Sequence, residues 1–307
     1  MPSTIVMTGA SRGIGRAAAQ RILRESPDTH LLVVARGSSG AGPAADLGTG
    51  GHRVSYVTAD LGSLESVRSA ADEIRERLEH GELPPLHGFV GNAGVQCTNA
   101  LIEGPEGFET TFAVNVLANH LFVRRLQAHF VRPARIVITV SDTHFGDLRH
   151  NLGMVPGPAW RSPDVLARPA AFPELHTTTA GRTAYSTSKL AAIHLVHEHA
   201  RRLPTGIDVI AYNPGFVPGT DLARNAGSVS RFAMHRILPA MILTPFATSR
   251  TAAGRHLADL AVGTTVAPTG CYVDRAHVAR SSAESYDPRR ERELWDAAER
   301  LTAAHTA

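Results

Sequence analysis

The stretch Thr4-Ile5-Val6-Met7-Thr8-Gly9-Ala10-Ser11-Arg12-Gly13-Ile14-Gly15-Arg16-Ala17-Ala18-Ala19 decides how the chain is read. An apolar, β-prone run enters a turn with three glycines, and an alanine-rich helix former follows without a break. Gly9, Gly13 and Gly15 let backbone amides come close to an anion, and the first turn of a helix adds positive potential there. Ser11, Arg12 and Ile14 are the side chains such a turn would carry around a pyrophosphate. A glycine-rich turn alone is a weak signal; a strand before it and a helix after it make it a phosphate cradle.

Outward from this turn, short apolar runs at 4–8, 31–35, 54–58, 88–91, 135–140, 208–212 and 271–273 alternate with helical patterns at 15–25, 63–79, 107–130, 184–202 and 248–260. Alternation of this kind is the form of repeated βαβ units. Runs that are apolar on both faces belong to strands covered by helices on both sides. The expected fold is therefore α/β: a single doubly wound Rossmann domain over 1–307, with a mainly parallel, seven-stranded sheet. Two stretches break the rhythm. Residues 145–181, rich in Pro, Gly and Arg, are expected as an inserted flap, and residues 216–247, with Phe216, Phe232, Met234, Ile237, Met241 and Phe246, as an oily substrate lid or a helix packed on the core.

In open α/β sheets ligands bind at the carboxyl ends of the strands, so the residues there carry the next part of the argument. The second strand ends Val34-Ala35-Arg36-Gly37-Ser38, with no carboxylate to take ribose hydroxyls. Arg36 can present its fork to a 2′-phosphate, Ser38 can add a hydroxyl, and Arg12 is a second cation, which favours NADP(H) over NAD(H). Asp60 and Leu61 follow the third strand, placed for an adenine edge; Asn92, Ala93 and Gly94 follow the fourth, small enough for close approach to a ribose. Further along, Tyr185 and Lys189 stand four apart at the start of a helix and share a face. An ammonium near a phenol favours the phenolate and brings it toward proton exchange. Ser141, at the end of the fifth strand, supplies a hydroxyl for a carbonyl oxygen.

Taken in this order, the residues resemble the short-chain dehydrogenase/reductase superfamily over nearly the whole chain. The resemblance implies a glycine turn at Gly9, Gly13 and Gly15, an adenine contact at Asp60, an Asn-Ala-Gly element at 92–94 and a catalytic set of Asn115, Ser141, Tyr185 and Lys189. It further implies a nicotinamide turn at Asn213-Pro214-Gly215-Phe216-Val217, with Pro214, Gly215 and Val217 against the ring and Thr220 supplying a hydroxyl. Ala35-Arg36, Asp60-Leu61-Gly62-Ser63-Leu64 and Thr269-Gly270-Cys271-Tyr272-Val273 look like the retinol dehydrogenase and protochlorophyllide reductase branch. The chain departs from relatives in reading Val140-Ser141-Asp142 where two serines are common, and in carrying Pro218-Gly219 before Thr220. The implied reaction is hydride transfer between NADPH and the carbonyl of a bulky apolar substrate, with Tyr185 as acid and base. Ser141 would polarise the oxygen, Lys189 would hold the ribose and tune Tyr185, and Asn115 would support a water-mediated proton path. Alternatives are reduction of a carbon–carbon double bond and a non-catalytic NADP(H)-binding sensor or assembly protein.

Composition bounds the rest. With 43% apolar and 19% charged residues the chain can bury a full core. A net charge of +3, spread without runs, gives no nucleic-acid footprint. Only Cys97 and Cys271 are present, so neither a disulfide framework nor a zinc knuckle is expected, and a reducing cytoplasm fits. No signal peptide and no membrane span are expected. Sixteen histidines include His194 and His197 on one helix, but no second ligand group completes a metal site, and a structural role is expected for them. His144 is expected either in the substrate pocket or in a plain loop. Trp295, with Leu294 and Leu301, is expected to staple a C-terminal helix to the body. Relatives often pair through their long helices; a homodimer and a monomer are both compatible with the sequence.

Overall fold

The computed structural model describes residues 1–37, 41–97, 101–151, 153–218 and 247–305. Eight strands form one sheet: β1 (Ser3–Thr8), β2 (Thr29–Ala35), β3 (Val54–Thr58), β4 (Leu86–Gly91), β5 (Phe130–Thr139), β6 (Ile207–Asn213), β7 (Tyr272–Asp274) and β8 (His277–Ala279). Their order is β3-β2-β1-β4-β5-β6-β7-β8. The first seven run parallel; β8 returns antiparallel to β7 through a two-residue turn, with Asp274 opposite His277. Seven strands were expected, and the eighth is the addition. It is three exposed residues, with no apolar run to announce it. β1 lies between β2 and β4, so the chain reverses direction across the sheet at β1, the place where such sheets leave a crevice.

The helices are α1 (Gly13–Glu25), α2 (Ala41–Gly48), α3 (Leu64–Glu79), α4, α5 (Thr178–Arg202), α6 (Arg250–Val262) and α7 (Pro288–Thr302). The fourth, α4, is a continuous run of Thr110–Phe112, a π-helical turn Ala113–Leu117 and Ala118–Leu126. Because strand side chains alternate, each strand feeds both layers. Val6, Leu32, Phe89, Ile136 and Val209 meet α3, α4 and α5 on one face. Their neighbours Met7, Leu31, Val90, Val137 and Ile210 meet α1 and α6 on the other. The doubly wound arrangement thus follows from strands that are apolar on both sides.

Helix α5 is buried around its whole circumference from Ala184 to His199, as a helix without a polar face must be. Its outer side is covered by α7, with Leu294 and Trp295 buried in the core. Trp295 is met edge-on by His120 and His199, with ring centroids 5.0 and 4.9 Å away, and the Arg202 guanidinium lies 4.4 Å from its ring centre. Trp295→Ala is therefore expected to cost about 3–5 kcal/mol in urea unfolding at pH 7. A loss below about 1 kcal/mol would mean that α7 contributes little to the fold.

Residues 145–181 hold short helices at Leu148–Asn151 and Pro163–Leu166 and a turn at Pro169–Ala171. Leu166, Ala167, Ala171 and Phe172 join the main core, and Trp160 meets His194 of α5 edge-on at 4.9 Å. Most of the stretch expected as a substrate lid, 219–246, lies outside the described residues. At its base Phe216 pairs with Ala247, and the Thr248 N–H donates to the Phe216 carbonyl at 2.8 Å. Among the described residues no helix is long and apolar enough to cross a membrane.

Candidate active site

The glycine turn leaves β1 at Thr8 with Gly9 at φ +71° and Gly13 at φ +58°, in the left-handed region that favours glycine. Gly15 is fixed by space: a Cβ there would stand 2.0 Å from the Gly9 carbonyl oxygen and 2.5 Å from Asn92 Nδ2. The Asn92 amide donates to Gly9 O at 3.2 Å, and the Ala93 N–H donates to Thr8 Oγ1 at 3.1 Å. Thr139 Oγ1 donates to Asn92 Oδ1 at 3.3 Å, so the ends of β1, β4 and β5 are tied into one rim. Helix α1 opens on Arg12 with no side-chain cap, which leaves its first amides directed at the crevice. Ser11 and Ile14 lie half-buried in the same turn.

Arg12 and Arg36 are both exposed at this rim, Arg36 one residue past the end of β2. Asp60 stands two residues past the end of β3; its Oδ1 accepts from the Gly62 N–H at 3.0 Å, which shapes the turn, while Leu61 packs on the core. Ser38 and Thr220 lie outside the described residues.

Deeper in, Asn115 sits in the π-helical turn, 1% exposed. Its Oδ1 accepts from Val95 N–H at 3.0 Å, and its Nδ2 donates to Val95 O at 3.0 Å and to Ser188 Oγ at 2.9 Å. One amide therefore braces the segment after β4 against α5. A Cβ added to Gly94 would lie 3.4 Å from both Asn115 Oδ1 and Lys189 Nζ, so the absence of a side chain at Gly94 keeps this corner open.

Tyr185 and Lys189 come from the first half of α5, whose N-terminus is capped by Thr177 Oγ1 accepting from Ala180 N–H at 3.2 Å. Both are about 95% buried. Lys189 Nζ donates to the Thr139 carbonyl at 2.9 Å and lies 5.6 Å from the centre of the Tyr185 ring. Burial pushes the Lys189 ammonium down to about 8. Burial also raises the Tyr185 phenol above its ordinary value; a hydrogen bond with Ser141 opposes the rise, and the Asp142 charge adds to it. Ser141 Oγ accepts from Thr143 N–H at 3.3 Å and donates to Asp142 Oδ1 at 3.3 Å. The phenol, the hydroxyl and the ammonium foreseen from the sequence thus meet at the carboxyl end of β5.

The turn after β6 closes the far side. Asn213 Oδ1 accepts from Gly215 N–H at 3.1 Å, and Gly215 has φ +72°. Pro214 and Val217 are buried.

Two groups, Arg275 and Asp142, were given no role in the sequence reading, and a third, His144, was left there between a pocket and a loop. Arg275, at φ +55° in the β7–β8 turn, lies across this turn: a Cβ on Gly215 would meet its Nε at 2.6 Å, and that Nε donates to Thr248 Oγ1 at 3.2 Å. Asp142, beside Ser141, is pushed up to about 6 by burial, with the Asp274 charge adding to the rise and Arg275 opposing it. His144, 1% exposed, proves to be bonded at both ring nitrogens. A short polar pattern beside the serine hints at the last two; nothing local marks Arg275.

A doubly wound sheet with a glycine turn at its crevice and a buried tyrosine, lysine and serine at the adjoining strand ends is the framework of a dinucleotide-linked oxidoreductase. Residues 3–150 match the family model for short chain dehydrogenases. The chain is 29% identical over 329 residues to a protochlorophyllide reductase from Avena sativa, covering 97% of this chain and 98% of that one. It is 32% identical over 223 residues to a protein from Streptomyces sp. (strain C5), provisionally named a daunorubicin C-13 ketoreductase, covering 70% and 66%. An angucycline C-6 ketoreductase crystallised with NADP has the same fold, with a TM-score of 0.62, 23% identity and 89% and 93% of the two chains covered. The chain belongs to the short-chain dehydrogenase/reductase superfamily.

Proposed function

We propose that the protein is an NADP(H)-dependent oxidoreductase that transfers hydride between NADPH and the carbonyl of a bulky apolar substrate. The observation that carries this reading is the meeting of Tyr185, Ser141 and Lys189 beside the crevice formed by Gly9, Asn92 and Gly94. The crevice fits a dinucleotide: Gly15 and Gly9 leave no room for side chains, the first amides of α1 are uncapped, and two guanidinium groups stand at the rim. Ser11, Gly13, Ile14, Asp60, Leu61, Ala93, Pro214 and Val217 would line it. NADPH, when bound, supplies the hydride.

The remaining work falls to the chain's own residues. Ser141 turns its hydroxyl from Asp142 to the substrate oxygen and polarises it. Tyr185 donates its phenolic proton to that oxygen as negative charge develops there. Lys189, buried 5.6 Å from the centre of the Tyr185 ring, holds the ribose and tunes Tyr185, while the Ser141 hydrogen bond opposes the effect of burial on the phenol. Asn115 holds α5 in register with the β4 end and supports the proton path to Lys189. Structures of related fold determined with NADP or NADPH support the cofactor choice. The named ketoreductase relative supports a carbonyl substrate. The covering of α5 by α7 supports a monomer.

The test is loss of NADPH absorbance with a panel of aromatic, steroid-like and isoprenoid aldehydes and ketones, run beside conjugated enones. Turnover of the enones alone would move the reading to double-bond reduction; NADPH binding with no turnover of either would favour a sensor. For the cofactor, Arg36→Ala is expected to weaken NADPH binding about 10- to 100-fold, the loss of one or two charge-assisted bonds, with little change for NADH. Fluorescence titration measures both. A parent protein that binds NADH as tightly as NADPH would overturn the cofactor assignment.

A further inference from the structure

Ser141 lies beyond the part of β5 that the sheet holds. The strand ends at Thr139, the Val140 N–H still reaches Tyr212 O at 2.8 Å, and the chain then enters the turn Asp142–Phe145. Its backbone position depends on what grips it next, and that is His144. The His144 Nδ1 stands 2.6 Å from the Ser141 carbonyl oxygen, and its Nε2 stands 3.1 Å from the Ser282 backbone nitrogen. An amide N–H only donates, so Nε2 is the acceptor. The ring proton is therefore on Nδ1 and is donated to Ser141. The ring is neutral, in one tautomer, and burial, which pushes it down to about 4, keeps it so at working pH.

The segment that supplies Ser282 is itself tightly built. Ser281 Oγ and Ser285 Oγ are 2.6 Å apart, and Ser285 Oγ donates to Ser282 O at 2.7 Å. Asp287 then caps α7, accepting from Arg289 N–H at 2.9 Å and Arg290 N–H at 3.2 Å. The same segment grips α5: His197 Nδ1 bonds Glu291 Oε1 at 2.6 Å, and the His197 ring stacks on Tyr286 at 5.2 Å. One stretch of chain thus touches both carriers of the reacting groups, the turn with Ser141 and the helix with Tyr185.

We propose that His144 is a positioning residue, fixing the Ser141 hydroxyl against the Tyr185 phenol by linking the Ser141 carbonyl to the C-terminal segment. The inference rests on the oxidoreductase reading above. Displacement of a reacting group by about 1 Å can cost on the order of 100-fold in rate, so His144→Ala is expected to lower kcat about 10- to 100-fold with a smaller change in KM. His144→Asn keeps a donor near Nδ1, whereas His144→Gln reaches the Nε2 site and serves Ser282 instead. The Asn variant is therefore expected to recover more of kcat than the Gln variant, even if both lose stability alike.

The decisive measurement is a double-mutant cycle with Ser141→Ala, using the carbonyl compound of the panel that the parent reduces fastest, with thermal melting and NADPH titration as checks on folding. If His144 acts through Ser141, removing the ring from the Ser141→Ala protein costs less than about 3-fold. Equal losses in the two backgrounds, or Gln recovering more than Asn, would overturn the proposal while parent turnover keeps the oxidoreductase reading intact. A parent that binds NADPH but reduces nothing in the panel would remove that reading and this inference with it. The cycle can be run on His144→Asn should the alanine variant fail to fold.

Discussion

Tyr185→Phe is expected to lower kcat for carbonyl reduction by about 10²- to 10⁴-fold, the usual contribution of a positioned proton donor. The substitution removes one oxygen and leaves the ring, so its packing beside Lys189 is retained and NADPH affinity should hardly move. Proton transfer is where the loss must fall. In the parent the buried phenol holds its proton firmly, which suits an acid that gives it up only when an alkoxide forms beside it. Stability should change little, because the lost hydroxyl is bonded to Ser141 and Ser141 keeps Asp142 as a partner. Single-turnover stopped flow separates hydride transfer from product release. A Tyr185→Phe protein with the parent's single-turnover rate would show that another group supplies the proton and would remove the central element of the proposed mechanism.

The parts of this site that could be read from the chain alone are those written locally. A glycine turn between strand and helix, and a tyrosine and lysine one helical turn apart, carry their geometry in their spacing. The parallel sheet is legible for the same reason, since buried strands are short apolar runs wherever they occur. What stayed hidden is non-local or carries no pattern. Six of the eight residues of helix α2 are glycine, proline or alanine, and β8 is exposed throughout. The π-helical turn around Asn115 has the composition of an ordinary helix. The bond from His144 to Ser282 spans 138 residues, and no spacing rule reaches that far. His144 was expected in a pocket or a plain loop; it lies buried in the turn after β5, with its ring bonded to the Ser141 carbonyl and to the Ser282 N–H. Histidine is uninformative in sequence because its work depends on which nitrogen meets a donor, and only the fold decides that.

The same histidines should make the protein acid-labile: stability is expected to fall steeply as pH drops from about 6.5 to about 4. His120, His144, His194 and His199 are all at most 4% exposed, and burial lowers each below its ordinary value, His144 and His194 to about 4 and His199 well below it. Two of them, kept neutral by burial, bond each other in complementary tautomers. His120 Nε2 faces Glu299 at 2.8 Å and so donates, which leaves its Nδ1 to accept from His199 Nε2 at 3.2 Å. A group whose folded value is depressed binds its proton first in the unfolded chain. Each histidine therefore contributes fully above about 6.5 and loses that contribution as pH falls toward its folded value. For His144 and His194 the loss approaches about 3 kcal/mol apiece. Asp142, raised to about 6, and Glu109, raised by burial, act with the opposite sign over part of this range, since their folded forms take up protons more readily than the unfolded chain does. Four depressed imidazoles against two raised carboxyls still leave a net loss comparable with the roughly 5–15 kcal/mol that holds a domain together. Urea unfolding at pH 7, 6, 5 and 4 measures the slope, and His194→Leu, which removes one imidazole packed against Trp160, should make it shallower. Stability that stays level from pH 6.5 to 4 would mean that these imidazoles reach water, and the closed packing of α4, α5 and α7 around them would have to be given up.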